Sequence, residues 1–268
     1  MLLAVGLCAC GSHVRQNPGG NVDASASGDS QGNGGGDGGD TEQVFVYAHT
    51  SSTLYRVDPD TLAVTMVGDF GWPSGSDQMT DLAIDKTGLM IGVSFGSVYR
   101  VDPTTAAATL LSSSLGGSFN GLSFVPAAAL GQTGDDVLVG TDNSDGKVYR
   151  VDTATGAITP VGDMGAGYTS SGDIVSIANY GTVQTVPGAS SDVLAKLAPN
   201  TFTAMSVGTG TGFSQIWGIA YWKNKVYGFT AGGDFVLIDP NTGVGTLVSH
   251  SGIAWWGAAV TTLAPVIQ

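Results

Sequence analysis

Residues 149–162, YRVDTATGAITPVG, constrain this chain more than any other stretch, because the unit recurs. It reads as strand, tight turn, strand. Related units begin at Tyr55 (YRVDPDTLAVTMVG), Tyr99 (YRVDPTTAAATLLS), Ala195 (AKLAPNTFTAMSVG) and Val236 (VLIDPNTGVGTLVS), at intervals of 44, 50, 46 and 41 residues. Periods of that size mark helical solenoids or propeller blades, and the strand character leaves the propeller. Asp58, Asp102, Asp152 and Asp239 stand where a side-chain oxygen caps the turn, and Pro59, Pro103, Pro199 and Pro240 preset φ just after. Thr61, Thr105, Thr155, Thr201 and Thr242 hold one place in all five copies. A feature present in every blade belongs to the scaffold.

The second copy shows the whole unit. Residues 80–85 form a first strand, 89–94 a second, 97–102 a third and 107–113 a fourth, a four-stranded meander of blade length. The first strands align as TDLAI from Thr80, NGLSF from Asn120, DIVSI from Asp173, WGIAY from Trp217 and WGAAV from Trp256. Their fourth position is always Ala or Ser between apolar neighbours, the pattern of an inner strand packed near a crowded axis. The last of them has no second strand after it, whereas residues 44–69 read as second, third and fourth strands with no first. One C-terminal and three N-terminal strands should therefore complete a composite blade, and closure leaves no exposed edge at the join. The expected fold is an all-β, five-bladed β-propeller over residues 44–268.

Composition narrows the partners. The formal net charge is −13, with 9 Lys and Arg, which disfavours nucleic acid because nothing could neutralise a run of phosphates. The single Glu is Glu42. Cys8 and Cys10 both precede residue 11, so no disulfide can staple the repeats. Residues 1–10 are an apolar run ending in Leu7-Cys8-Ala9-Cys10, and residues 11–43 are dominated by Gly, Ser, Asn and Asp. Such a segment buries too little apolar surface to order itself and reads as a disordered linker.

Two resemblances follow from these residues. Leu7, Ala9 and Cys10 resemble the bacterial lipobox, which implies a signal peptide, lipidation at Cys10 and a tether to the membrane through that lipid alone. The repeats of V/I-D-P-x-T-G type, each preceded by a G-I/L-A-F/Y strand, resemble secreted bacterial β-propeller repeats, many of them on lipoproteins. That resemblance implies an extracytoplasmic address in the cell envelope, at the outer membrane, and a monomer. It implies little about activity, since propellers host binding proteins and enzymes alike.

Candidate sites lie where the repeats stop agreeing. The loops between blades offer one large apolar residue each, among them Trp72, Tyr168 and Phe213, which either seal that face or present platforms to a ligand. Trp217, Trp255 and Trp256 add bulk where inner strands begin, while Asp81, Asn120 and Asp173 are polar there. Three oxygen-bearing side chains around an axis have the chemistry to hold a hard cation, and equally to bond loop backbone. Asp142-Asn143-Ser144-Asp145-Gly146 lacks calcium-loop spacing and reads as a polar hairpin. His49 and His250 fall on different blades without a third partner, so neither a catalytic triad nor a zinc site emerges. No cofactor is expected. The reading is a binding or scaffold module for a protein or glycan ligand. The alternative is a glycan hydrolase using an all-Asp pair such as Asp81 and Asp173, since that chemistry needs two carboxylates flanking the bond.

Overall fold

The computed structural model describes residues 46–177 and 179–263. The readings for the leader at 1–10, with Cys10, and for the linker at 11–43 lie outside the described residues. The strands are β1 (Val46–His49), β2 (Thr53–Val57) and β3 (Val64–Asp69), then β4 (Met79–Ile84), β5 (Met90–Ser94), β6 (Val98–Val101) and β7 (Ala108–Ser112). Next come β8 (Phe119–Val125), β9 (Val137–Asp142), β10 (Lys147–Val151) and β11 (Ile158–Asp163). They are followed by β12 (Ile174–Ile177), β13 (Gly181–Val186), β14 (Val193–Leu197) and β15 (Ala204–Val207). The series ends with β16 (Ile216–Trp222), β17 (Lys225–Thr230), β18 (Asp234–Ile238), β19 (Gly245–His250) and β20 (Gly257–Val260).

These strands form five four-stranded antiparallel sheets, and the first has the order β20-β1-β2-β3. The composite blade is real: Val46, Tyr47, Ala48 and His49 pair with Val260, Ala259, Ala258 and Gly257. The fold is a five-bladed β-propeller. Its inner strands are buried almost throughout, whereas the fourth strands alternate toward solvent. The core is therefore a set of apolar layers between neighbouring blades.

The repeated turn has one geometry in all five copies. Oδ1 of Asp58, Asp102, Asp152 and Asp239 accepts the N–H two residues on at 2.7–3.0 Å. In the fourth copy Ala198 stands in place of Asp, yet the backbone bond from Phe202 N–H to Ala198 O survives at 2.8 Å. The residue closing each turn is left-handed: Leu62, Ala106, Gly156, Phe202 and Gly243 have φ between 58° and 72°. It nests against the last position of the previous blade's motif, which is Gly or Ser in every copy. A Cβ on Gly208 would lie 2.1 Å from Thr242 O, and one on Gly162 2.6 Å from Thr201 O. The terminal Gly of V-G is thus a contact between blades, where backbone meets backbone with no room for a side chain.

Pairing corrects one alignment. Motif positions Tyr55, Tyr99, Tyr149 and Val236 pair with Ala48, Gly92, Gly140 and Gly228, and in the fourth blade Ala195 pairs with Gln184. Gln184 in turn faces Ile174, as Gly92 faces Leu82. Asp173 is therefore equivalent to Asp81, Gly121, Gly218 and Gly257, and not to Thr80 or Asn120. The Ala/Ser rule placed it one residue off, because Val175 holds that small-residue position in the fourth blade.

Candidate functional site

The corrected register puts two rings of equivalent residues around the axis. The lower ring is Asp81, Gly121, Asp173, Gly218 and Gly257; the upper ring, one residue earlier, is Thr80, Asn120, Gly172, Trp217 and Trp256. In the lower ring, the three glycines stand where a side chain would collide with its neighbours. A Cβ on Gly257 would stand 2.5 Å from Asp81 Oδ1 and 2.3 Å from His49 Nε2, and one on Gly121 would sit 2.2 Å from Thr141 Oγ1.

The backbone explains why carboxylates sit here. Inner-strand N–H groups that face the axis have no further strand to pair with, and a buried N–H requires an acceptor. Asp81 Oδ1 accepts Leu82 N–H at 2.8 Å, and Leu122 N–H also bonds its carboxyl group. Asp173 accepts Ile174 N–H at 2.6 Å and Ile219 N–H at 3.2 Å, and Ala258 N–H as well. One N–H from each of the five blades thus ends on this pair. Both residues are 0–1% exposed.

Burial pushes both acids well above the ordinary carboxylate range, and the Asp173 charge raises Asp81 further. Asp81 Oδ2 is buried without a hydrogen-bond partner among the described residues. Both acids therefore hold their protons to higher pH than a free carboxyl does. His49, fully buried, donates from Nδ1 to Thr50 O at 2.9 Å. Burial depresses its pKa to about 4, so it is neutral, with bare Nε2 3.7 Å from Asp81 Oδ1. Among the described residues no group of three or more His, Cys, Asp or Glu is arranged to hold a metal ion. Five N–H dipoles aimed at the pair favour negative charge there, not a cation.

At the upper ring a pocket of about 230 Å³ opens. Phe95, Phe119, Trp217 and Trp256 wall it, with Thr80, Asn120 and Asn143 between them. Trp256 stands perpendicular to both neighbours: Trp217 at 5.9 Å and 82°, Phe95 at 6.4 Å and 78°. Phe95 and Asn143 come from the loops joining second to third strands, and Phe95 is 60% exposed. The Asn143 hairpin is shaped by Asp142, whose Oδ1 accepts Ser144 N–H at 2.7 Å.

Among solved structures, 695 chains match this protein. A chain of the nidogen/laminin complex shares 10% identity at a TM-score of 0.56, over 83% of this chain and 99% of that one. A symmetrical protein from work on its de novo evolutionary emergence shares 16% identity at a TM-score of 0.53, over 84% of this chain and 100% of that one. The likeness is of fold alone. No protein-family model matches the sequence, and no curated protein does.

Within the propeller, the residues anticipated from sequence divide into three groups. Asn120, Trp217 and Trp256 meet at the mouth, whereas Asp81 and Asp173 are buried in the neighbouring ring and do not line it. Trp72, Tyr168 and Phe213 do not converge there. Trp72 packs on Phe70 and Tyr99, 5.5 and 5.1 Å away between ring centroids, while Tyr168 and Phe213 each cover the core of a different blade interface. Trp255 is buried between Tyr55 and Phe229. Sequence reasoning did not single out Phe95, Thr80 and Asn143. Thr80 was legible as a member of the aligned ring; Phe95 and Asn143 sit in loops that differ in every blade.

Asp81 and Asp173 are 0–1% exposed and line none of the pockets described here, so a glycosidic bond has no access between them as a two-carboxylate hydrolase requires. A larger cavity, about 470 Å³, opens beside Pro126, Tyr180, Lys196 and Phe202. Its one charged side chain is occupied, with Lys196 Nζ 4.0 Å above the Tyr180 ring.

Proposed function

We propose that the protein is a binding module whose ligand enters the aromatic pocket at the mouth of the channel. The observation that carries this reading is the convergence of four aromatic side chains from four blades around a small concave space. Concave, mostly apolar pockets with a few placed polar groups are the usual form of ligand sites. The regular turns at the opposite end serve the scaffold, which leaves the irregular end to carry specificity. The ligand is a small molecule, or a group borne on a protein or glycan.

The site is tested by screening small-molecule, glycan and peptide ligands with the intact chain by tryptophan fluorescence, then repeating each hit with Trp256→Ala. Loss of affinity by about 10-fold or more is expected for a ligand stacked on that ring. Hits that bind the variant equally well would place the site elsewhere.

The proposal extends to location. Lipidation at Cys10 would hold the propeller at the cell envelope, on a linker of roughly 30 residues reaching about 30 Å. Metabolic labelling with a fatty-acid analogue in a bacterial host should mark the wild-type chain and leave Cys10→Ser unlabelled. Equal labelling of both would exclude the anchor.

A further inference from the structure

Resting on the reading of the mouth as a ligand site, we infer that its ligand is a soluble organic cation of the quaternary ammonium class. The pocket offers π faces with few polar side chains among them, Thr80, Asn120 and Asn143, and no cationic one. Trp217 and Phe95 stand at 82° and 78° to Trp256, so the three rings form adjoining walls instead of one flat platform. A pyranose stacks on a single open face and spends its hydroxyls on a dense set of donors and acceptors. A trialkylammonium spreads its charge over methyl groups, needs no hydrogen bonds, and is attracted by several ring faces at once.

The polar groups agree. Thr80 Oγ1 donates to Val93 O at 3.1 Å and is spent. Asn120 Nδ2 points to Ser170 O at 3.5 Å, which orients the amide and leaves Oδ1 buried without a partner. An unpartnered carbonyl oxygen at the pocket wall is a site of negative potential. No Lys or Arg lines the pocket. The formal net charge of −13 steers cations toward the molecule. The volume, about 230 Å³, suits an ammonium head and not a chain or an oligosaccharide.

The test titrates the intact protein with choline, with its neutral isostere 3,3-dimethylbutan-1-ol, and with a methyl pyranoside, reading tryptophan fluorescence. Choline should bind, and the isostere should bind about 10-fold or more weakly, because only the charge distinguishes them. Phe95→Ala, at an exposed position, should fold normally and weaken choline by about 3-fold or more. Equal binding of choline and the isostere would overturn the cation inference and leave an apolar pocket. Binding of the pyranoside alone would overturn it while the broader reading of the mouth as a ligand site stands. Silence from all three probes would overturn the inference, and the Trp256→Ala comparison on library hits would then judge the broader reading alone. Phosphatidylcholine vesicles should not sediment the protein; co-sedimentation would transfer the cation to a lipid headgroup and refute a soluble ligand.

Discussion

Deleting residues 253–268 is expected to leave a chain without a cooperative unfolding transition. The deletion removes β20, the inner strand of the composite blade, and with it all four residue pairs that join β20 to β1. It also removes Trp255, 1% exposed between Tyr55 and Phe229. Loss of a buried Trp by itself costs about 3–5 kcal/mol, a large part of a domain's total stability of about 5–15 kcal/mol. The open edge of β1 would add an unpaired strand beside a solvated core. Calorimetry and near-UV circular dichroism read the result, and an unchanged melting transition would refute closure through β20. A rescue distinguishes lost closure from general damage. Val260 pairs with Val46, so the end of β20 lies beside the start of β1. Placing residues 253–262 ahead of Val46 through a hairpin-forming Asn-Gly linker should restore cooperative folding, because the same strand pair is then made by a local turn.

Blade number, closure and the scaffold role of the Asp-Pro-Thr turn were legible because each depends on a signal repeated down the chain. Five copies of one turn average out local exceptions such as Ala198. The candidate site was legible only in part, for the opposite reason: it is built from residues that break the repeat. Aligning the inner strands was enough to bring Asn120, Trp217 and Trp256 together. It misplaced Asp173, because the small-residue rule fits Ser176 in sequence while the pairing of Ile174 with Gln184 sets the register one residue away. Side-chain period in a strand is two, so a one-residue slip moves a carboxylate from the axis to the rim. The equivalence of Asp81 and Asp173 in one ring was invisible for that reason. Phe95 belongs to a loop whose sequence, Phe95-Gly96-Ser97, recurs in no other blade, and only the folded ring shows that it leans over Trp256. The one-per-blade aromatics carried the opposite lesson. Trp72, Tyr168 and Phe213 repeat because each covers its own blade interface, and repetition again meant scaffold.

Replacing Asp173 by Ala is expected to destabilise the propeller by about 3–5 kcal/mol, through groups that the mutation does not touch. Ile174, Ile219 and Ala258 N–H all end on this carboxylate. A buried donor left without an acceptor costs about 1–3 kcal/mol, and water entering the cavity recovers part of the sum. Asp173→Asn keeps an oxygen acceptor and should lose less. Asp81→Asn tests the Asp81 proton separately. Its amide supplies permanently the donor that Asp81 provides only when protonated. The folded pKa of Asp81 lies above the unfolded value of 3.8, so its contribution is complete below that value and fades as pH rises through the folded pKa. His49 acts in the other direction: its folded pKa of about 4 lies below 6.5, so its contribution is present above pH 6.5 and fades as pH falls toward 4. Urea unfolding from about pH 5 to about pH 8 should therefore show Asp81→Asn gaining stability relative to wild type as pH rises, with the acid-side loss from His49 unchanged. Curves that stay parallel across that range would mean that Asp81 gives up its proton in the folded protein as readily as in the unfolded chain.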